Sequence, residues 1–252
     1  MIWQKCNGQA HIKPLSGTLY RLVESQSQIA TMDYVDNIEE QAVLESLLED
    51  NKPALLDETD RLHYLLKTPF RYPPLEWGSR FSDRDLPSLF YGAAVNKTCL
   101  AEAAFYRFVF LDSMQGDEQG AAPTAVLRSR HTMFSIGYHA KKGISLDASP
   151  FNQFSELITH KQDYMHAQRL GRDMRDAGVT AFCYPSARDT ENQLCIGLFT
   201  PNDFTSNQPD ISGDWICQTE FDKVVFKQHA HSEVAVFTRQ QFLYEGCLPH
   251  PA

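Results

Sequence analysis

No stretch of this 252-residue chain approaches the apolar length of a membrane span, so no membrane partner is expected. Lys and Arg are nowhere clustered, and the net charge is −9, which argues against direct nucleic-acid binding. The first residues, Met1-Ile2-Trp3-Gln4-Lys5, lack the apolar core of a signal peptide. The six cysteines (Cys6, Cys99, Cys183, Cys195, Cys217 and Cys247) include no CxxC pair. That speaks against a disulfide framework and a zinc site, and for free thiols in a reducing cytoplasm. No GxGxxG follows a strand, so a Rossmann dinucleotide site is not expected. Repeats and low-complexity linkers are missing too.

What is present reads as an ordinary packed protein. Hydrophobic residues make up 42% and aromatics 12%, enough to exclude a disordered chain. The length suits one substantial domain, or one with an elaborated end. Residues 17–24 read as a strand. Asp36-Asn37 then caps an amphipathic helix that begins at Ile38 and stops at Lys52-Pro53. Arg61 to Leu66 is helical, ending before Thr68-Pro69, and Phe70 to Pro74 is extended.

Further on, a strand is expected at 89–92, a helix at 97–111, a polar loop from Gln115 to Pro123, and strands at 124–137 and 143–146. Gln162 to Ala177 is the clearest helix, with Met165, Leu170 and Met174 on one side and Gly178 at its C′ position. Strands follow at 179–183, 194–199 and 224–226, with a last apolar run at 232–238. Strands and helices mix without a βαβ rhythm, which gives an α+β class. The simplest division is an N-terminal strand and helical elaboration over 1–68, joined to a core over 69–252 in one unit.

Three short segments carry the chemistry. Arg80, between Gly78-Ser79 and Phe81, offers a rigid fork of donors suited to a pyrophosphate or a carboxamide edge. Pairing with Asp83 or Asp85 is the plainer alternative. Glu102 lies among Leu100, Ala101, Ala103, Ala104 and Phe105, a costly setting for a carboxylate unless it is partnered, functional or turned to solvent. Ser186, in Tyr184-Pro185-Ser186-Ala187-Arg188, lacks the glycines of a GxSxG elbow. It reads as a ligand-positioning hydroxyl or as a turn serine. His229 and His231 have no third ligand at useful spacing, and nothing pairs Cys183 with a base.

Tyr20-Arg21, Gly78-Ser79-Arg80-Phe81, Phe90-Tyr91, Leu100-Ala101-Glu102 and Tyr184-Pro185-Ser186-Ala187-Arg188 resemble, in that order, the motifs of the RES domain. The family is named for its Arg, Glu and Ser. Asn192 to Phe199 is similar to its closing strand. Ser79 stands where the family has a second glycine, and Ser82 where Asn is usual. Arg21 precedes Arg80 by more than in compact members, as though the intervening helices were an insertion.

The resemblance implies a fold similar to ADP-ribosyltransferase toxins, a mixed sheet with flanking helices, and a reaction at the nicotinamide–ribose bond of NAD. Glu102 would stabilise the oxocarbenium-like state, with Arg80 and Arg21 on the phosphates. Tyr91 would pack on the nicotinamide or ribose, and Ser186 would position the nicotinamide side, with Tyr184 and Arg188 completing the binding set. NAD is then a consumed substrate, with phosphate a candidate co-substrate and no metal or other cofactor. NAD phosphorolysis or hydrolysis is the favoured reading. Protein mono-ADP-ribosylation and a non-enzymatic antitoxin-binding module are the alternatives. The resemblance also implies a toxin neutralised by an Xre-like antitoxin; a homo-oligomer is compatible with it.

Overall fold

Side-chain alternation along the first strand divides the interior into two compartments. Strand β1, Lys13–Glu24, buries Leu19 in one cluster, while Tyr20 and Leu22 pack against another. It begins earlier than the apolar pattern suggests. Pro14, which has no N–H to donate, sits where the pairing with the neighbouring strand shifts register, between Lys13 and Leu15. The computed structural model describes residues 1–25, 35–55, 57–114, 126–229 and 232–250. The loop expected from Gln115 to Pro123 lies outside them.

A short helix, α1 (Ile2–Lys5), precedes β1. Helix α2, Ile38–Asp50, starts as expected: the Asn37 side chain accepts from the Glu40 amide at 2.9 Å, and Glu40 returns a bond to the Asp36 amide. Helix α3 departs from expectation. It runs Tyr64–Arg71, straight through Pro69. Leu65, Leu66 and Phe70 are buried in one cluster, and that burial outweighs the backbone bond that proline cannot make.

Strand β2 (Phe90–Ala93) leads into helix α4 (Asn96–Ser113). Strand β3 is a single element, Leu127–Ser145, where the sequence suggested two. The polar stretch between them alternates: Tyr138 and Ala140 are buried, His139 and Lys141 exposed. Helices α5 (Ser155–Ile158) and α6 (Met165–Asp176) follow, α6 ending on Gly178 with φ of +76°. Strands β4 (Ala181–Pro185) and β5 (Leu194–Leu198) form a hairpin across the motif loop. Strand β6 (Asp210–Thr219) was not expected, and β7 (Lys223–Gln228) and β8 (Val234–Thr238) complete the sheet.

The eight strands run in the order β1-β2-β5-β4-β3-β6-β7-β8, and β1 also pairs with β3. Five of them therefore close into a ring, with β6, β7 and β8 extending from the far flank of β3. The β3–β4 contact is parallel and the other pairings antiparallel, giving the α+β mixed sheet expected. Phe90, Phe134, Ile136, Ala181 and Ile196 share one face with α3. Tyr91, Met133, Phe182, Tyr184 and Cys195 share the other with α4 and α6. All six cysteines are free, and among the described residues no helix is long and apolar enough to cross a membrane.

Candidate functional site

Gly78 turns the chain at φ +76°, where a Cβ would come within 2.4 Å of the Ser82 carbonyl oxygen. The tight loop that follows buries Phe81 completely, its ring 4.6 Å from Phe182 and 4.7 Å from Tyr184. Arg80 is thereby anchored on both sides. The Tyr91 hydroxyl accepts from the Phe81 amide (3.1 Å) and bonds the Ser79 hydroxyl (3.0 Å). The serine in place of a glycine thus has a partner, and Tyr91 is a brace for the arginine loop. Burial pushes the Tyr91 phenol up to about 12, so it stays protonated.

The Arg80 guanidinium donates to the carbonyls of His160 (2.7 Å) and Ile158 (3.4 Å) and lies 4.3 Å over the ring of Tyr164. Asp83 is taken by Arg172, and among the described residues no carboxylate is within ion-pairing distance of Arg80. Burial works against its charge, yet the facing Tyr164, Tyr184 and Glu102 together raise its pKa above the ordinary value.

Helix α4 supplies the acid. Thr98, Cys99, Leu100, Ala101, Ala104 and Phe105 are buried, leaving Glu102 half-buried at the seam with β4 and β5. Its Oε1 accepts from the Ser186 hydroxyl at 2.5 Å and, weakly, from the Cys195 thiol at 3.6 Å. Ser186 in turn accepts from the amides of Arg188 (3.1 Å) and Asp189 (3.0 Å). One hydroxyl therefore shapes the turn and holds the carboxylate. One helical turn earlier, Thr98 donates to Asp189 at 2.6 Å, a second tie between α4 and the same loop.

Arg188 is buried, its guanidinium 3.5 Å from the Phe105 ring centre, and it donates to the Lys161 carbonyl (2.7 Å) and the Tyr164 hydroxyl (3.2 Å). Its Nη1 has no partner among the described residues, nor does Nε of Arg21. Arg21 donates instead to the Tyr91 carbonyl (2.7 Å) and lies 4.8 Å over Phe90; burial lowers its pKa. Among the described residues these two guanidinium nitrogens at the cavity are without an acceptor, as are single nitrogens of Arg107, Arg175 and Arg239 elsewhere.

These side chains meet at a cavity of about 270 Å³. Arg21, Arg80, Tyr91, Glu102, Tyr184 and Arg188 line it, and Ser186 supports it from beneath Glu102. Three arginines and one carboxylate are among its lining residues, in a chain of net charge −9; the guanidinium groups of Arg80 and Arg188 lie on the Glu102 side, and that of Arg21 lies over Phe90. Such a pocket favours an anionic ligand and leaves a single group for charge stabilisation. Tyr164 and Tyr106 also line it, and motif reading missed both. Tyr164 precedes α6 with no spacing signal; its role comes from lying under the Arg80 guanidinium while its hydroxyl accepts from Arg188.

The minor candidates lie elsewhere. Cys183 packs in the opposite cluster, and burial pushes its thiol up to about 11, too high for a ready nucleophile. His231 lies outside the described residues; among those described, no group of three or more His, Cys, Asp or Glu could hold a metal.

Comparison with known families matches the RES domain over residues 55–219. No curated protein matches the chain. Among solved structures it is similar to a chain of the M. tuberculosis MbcT–MbcA toxin–antitoxin complex. The two are 10% identical, with a TM-score of 0.48, covering 84% of this chain and 90% of that one.

Proposed function

The chain belongs to the RES-domain family, and from that premise we propose that it is an enzyme that consumes NAD by breaking the nicotinamide–ribose bond. The observation that supports this most is the cavity itself, whose wall brings Arg80 and Arg188, with Arg21 at its edge, together with the single carboxylate Glu102. A pyrophosphate needs fixed cations, and the two unpartnered guanidinium N–H groups are suited to it. The breaking bond needs negative charge beside the ribose, and Glu102 is held ready by Ser186.

In this reaction the C1′–N bond breaks with its electron pair going to the pyridine nitrogen. Nicotinamide departs neutral, so no strong general acid is required. Positive charge grows on the ribose, and Glu102 stabilises it electrostatically or through the ribose hydroxyls. Arg80 and Arg188, stacked on Tyr164 and Phe105, are rigid enough to position the phosphates. An oxygen of phosphate or water then bonds C1′, a water releasing its proton to solvent, giving ADP-ribose phosphate or ADP-ribose. We assign the protein to the toxin side of a toxin–antitoxin pair, with an Xre-like antitoxin as partner, on the strength of family membership.

Incubating purified protein with NAD, with and without phosphate, and weighing the products by mass spectrometry tests the reading. Free nicotinamide with ADP-ribose or its phosphate supports it, and label on a macromolecule would mark a protein ADP-ribosyltransferase. NAD recovered intact under all conditions overturns it.

A further inference from the structure

A second cavity, of about 480 Å³, lies between α2, α3 and β1. Arg21 lines both it and the first. Its wall combines the rings of Tyr64 and Tyr72, 47% and 39% exposed, with Lys52, Lys67 and Arg71. Glu49 accepts from Lys52 (2.8 Å) and Arg71 (2.6 Å), and Glu24 pairs with Arg107 from outside the cavity. The Lys67 ammonium makes neither a hydrogen bond nor an ion pair among the described residues, and the two carboxylates of the cavity wall, Glu24 and Glu49, pair with other cations. Exposed aromatic faces beside uncompensated positive charge suit a flat heterocycle carrying phosphate.

We propose that this cavity holds the purine–ribose–phosphate half of the dinucleotide whose nicotinamide end occupies the first, an assignment that rests on the NAD reading above. The first cavity, at about 270 Å³, falls just below the range for a drug-sized ligand, roughly 300–1,000 Å³. A dinucleotide seated there must extend past its rim. The two cavities lie on opposite faces of the sheet, but β1 and β2 pair only at Tyr20 and Ala93; Arg21 stands just beyond that pair, where a pyrophosphate passing between the parted strands would meet it. Lys67 then faces the adenylate phosphate, and Tyr64 or Tyr72 the base. The helices between Arg21 and Arg80 thereby act as a substrate-binding elaboration.

AMP and nicotinamide, used as separate inhibitors of NAD cleavage, probe the two halves independently. AMP should compete with NAD, and Lys67→Met should weaken AMP inhibition and raise KM for NAD, each by about tenfold, the worth of one charge-assisted contact. Nicotinamide inhibition serves as the internal control, and Tyr72→Ala, at a more exposed position, provides a second variant, with melting curves to verify folding. An AMP inhibition constant unmoved by both substitutions overturns the proposal, as does equal weakening of AMP and nicotinamide. Wild-type protein that leaves NAD intact overturns the NAD reading and this one with it. Wild-type protein that cleaves NAD but ignores AMP overturns this one alone.

Discussion

Replacing Ser186 by alanine should damage the active site through Glu102 rather than through the substrate. The hydroxyl is 1% exposed and makes three bonds: one donated to Glu102 and two accepted from the amides of Arg188 and Asp189. Water has little access to replace them. The bond to an ionised carboxylate is worth about 1.5–3 kcal/mol, and each orphaned buried amide costs about 1–3 kcal/mol. A loss of stability of about 3.5 kcal/mol is therefore the lower end of the expectation, readable by urea denaturation. If the carboxylate contribution is also lost at the transition state, turnover falls by roughly 10- to 150-fold.

A double-mutant cycle separates positioning from contact. In single-turnover NAD cleavage with excess enzyme, Ser186→Ala should slow the wild type strongly. It should add little in the Glu102→Gln background, where the carboxylate it orients is gone. Should the same factor appear in both backgrounds, Ser186 acts on the ligand independently and the reasoning fails.

Three further outcomes follow. Glu102→Ala should abolish NAD cleavage and any growth inhibition on expression, with the fold retained by circular dichroism although the melting temperature drops with the lost Ser186 bond; toxicity that survives the substitution argues for a binding module. Gly171→Ala would place a Cβ 2.0 Å from the Phe81 carbonyl oxygen, forcing α6 off the arginine loop. A stability loss of about 2–4 kcal/mol is expected, with a rise in KM for NAD, and an unchanged melting curve would refute the packing argument. Burial, reinforced by Arg107 against the opposing Glu24, lowers the pKa of His131 from 6.5 to about 4. The unfolded chain therefore takes up this proton first, and stability present above pH 6.5 is lost as the pH falls toward 4. The contribution is at most about 3 kcal/mol, and His131→Phe should flatten that part of the stability–pH curve.

Elements governed by neighbouring residues were the legible ones. The Asn37 cap of α2 and the Gly178 terminus of α6 follow from local chemistry, and both stand where the pattern suggested. Strand β6 was hidden because Asp210-Ile211-Ser212-Gly213-Asp214 is polar on its own. It becomes a strand only by pairing with β3 on one side and β7 on the other. The continuation of α3 through Pro69 depends on Phe70 finding a hydrophobic cluster that no local rule describes. At the site, Arg80, Glu102 and Ser186 were legible as motifs, though not in their mutual arrangement. That Ser186 turns its proton on Glu102, that Thr98 holds Asp189, and that Tyr164 lies beneath Arg80 are pairings between distant stretches of chain.

The family match begins at residue 55, yet β1 ends at Glu24 and pairs with β3 from His131 to Gly143. Trimming the chain to the matched span would remove a stave from the ring and also strip β7 and β8 from beside β6. Two raw margins of backbone would then face solvent, open to capture by other chains. Such a fragment would come out of the cell clumped before its chemistry could be assayed, and it would have lost Tyr20 and Arg21 from the cavity wall.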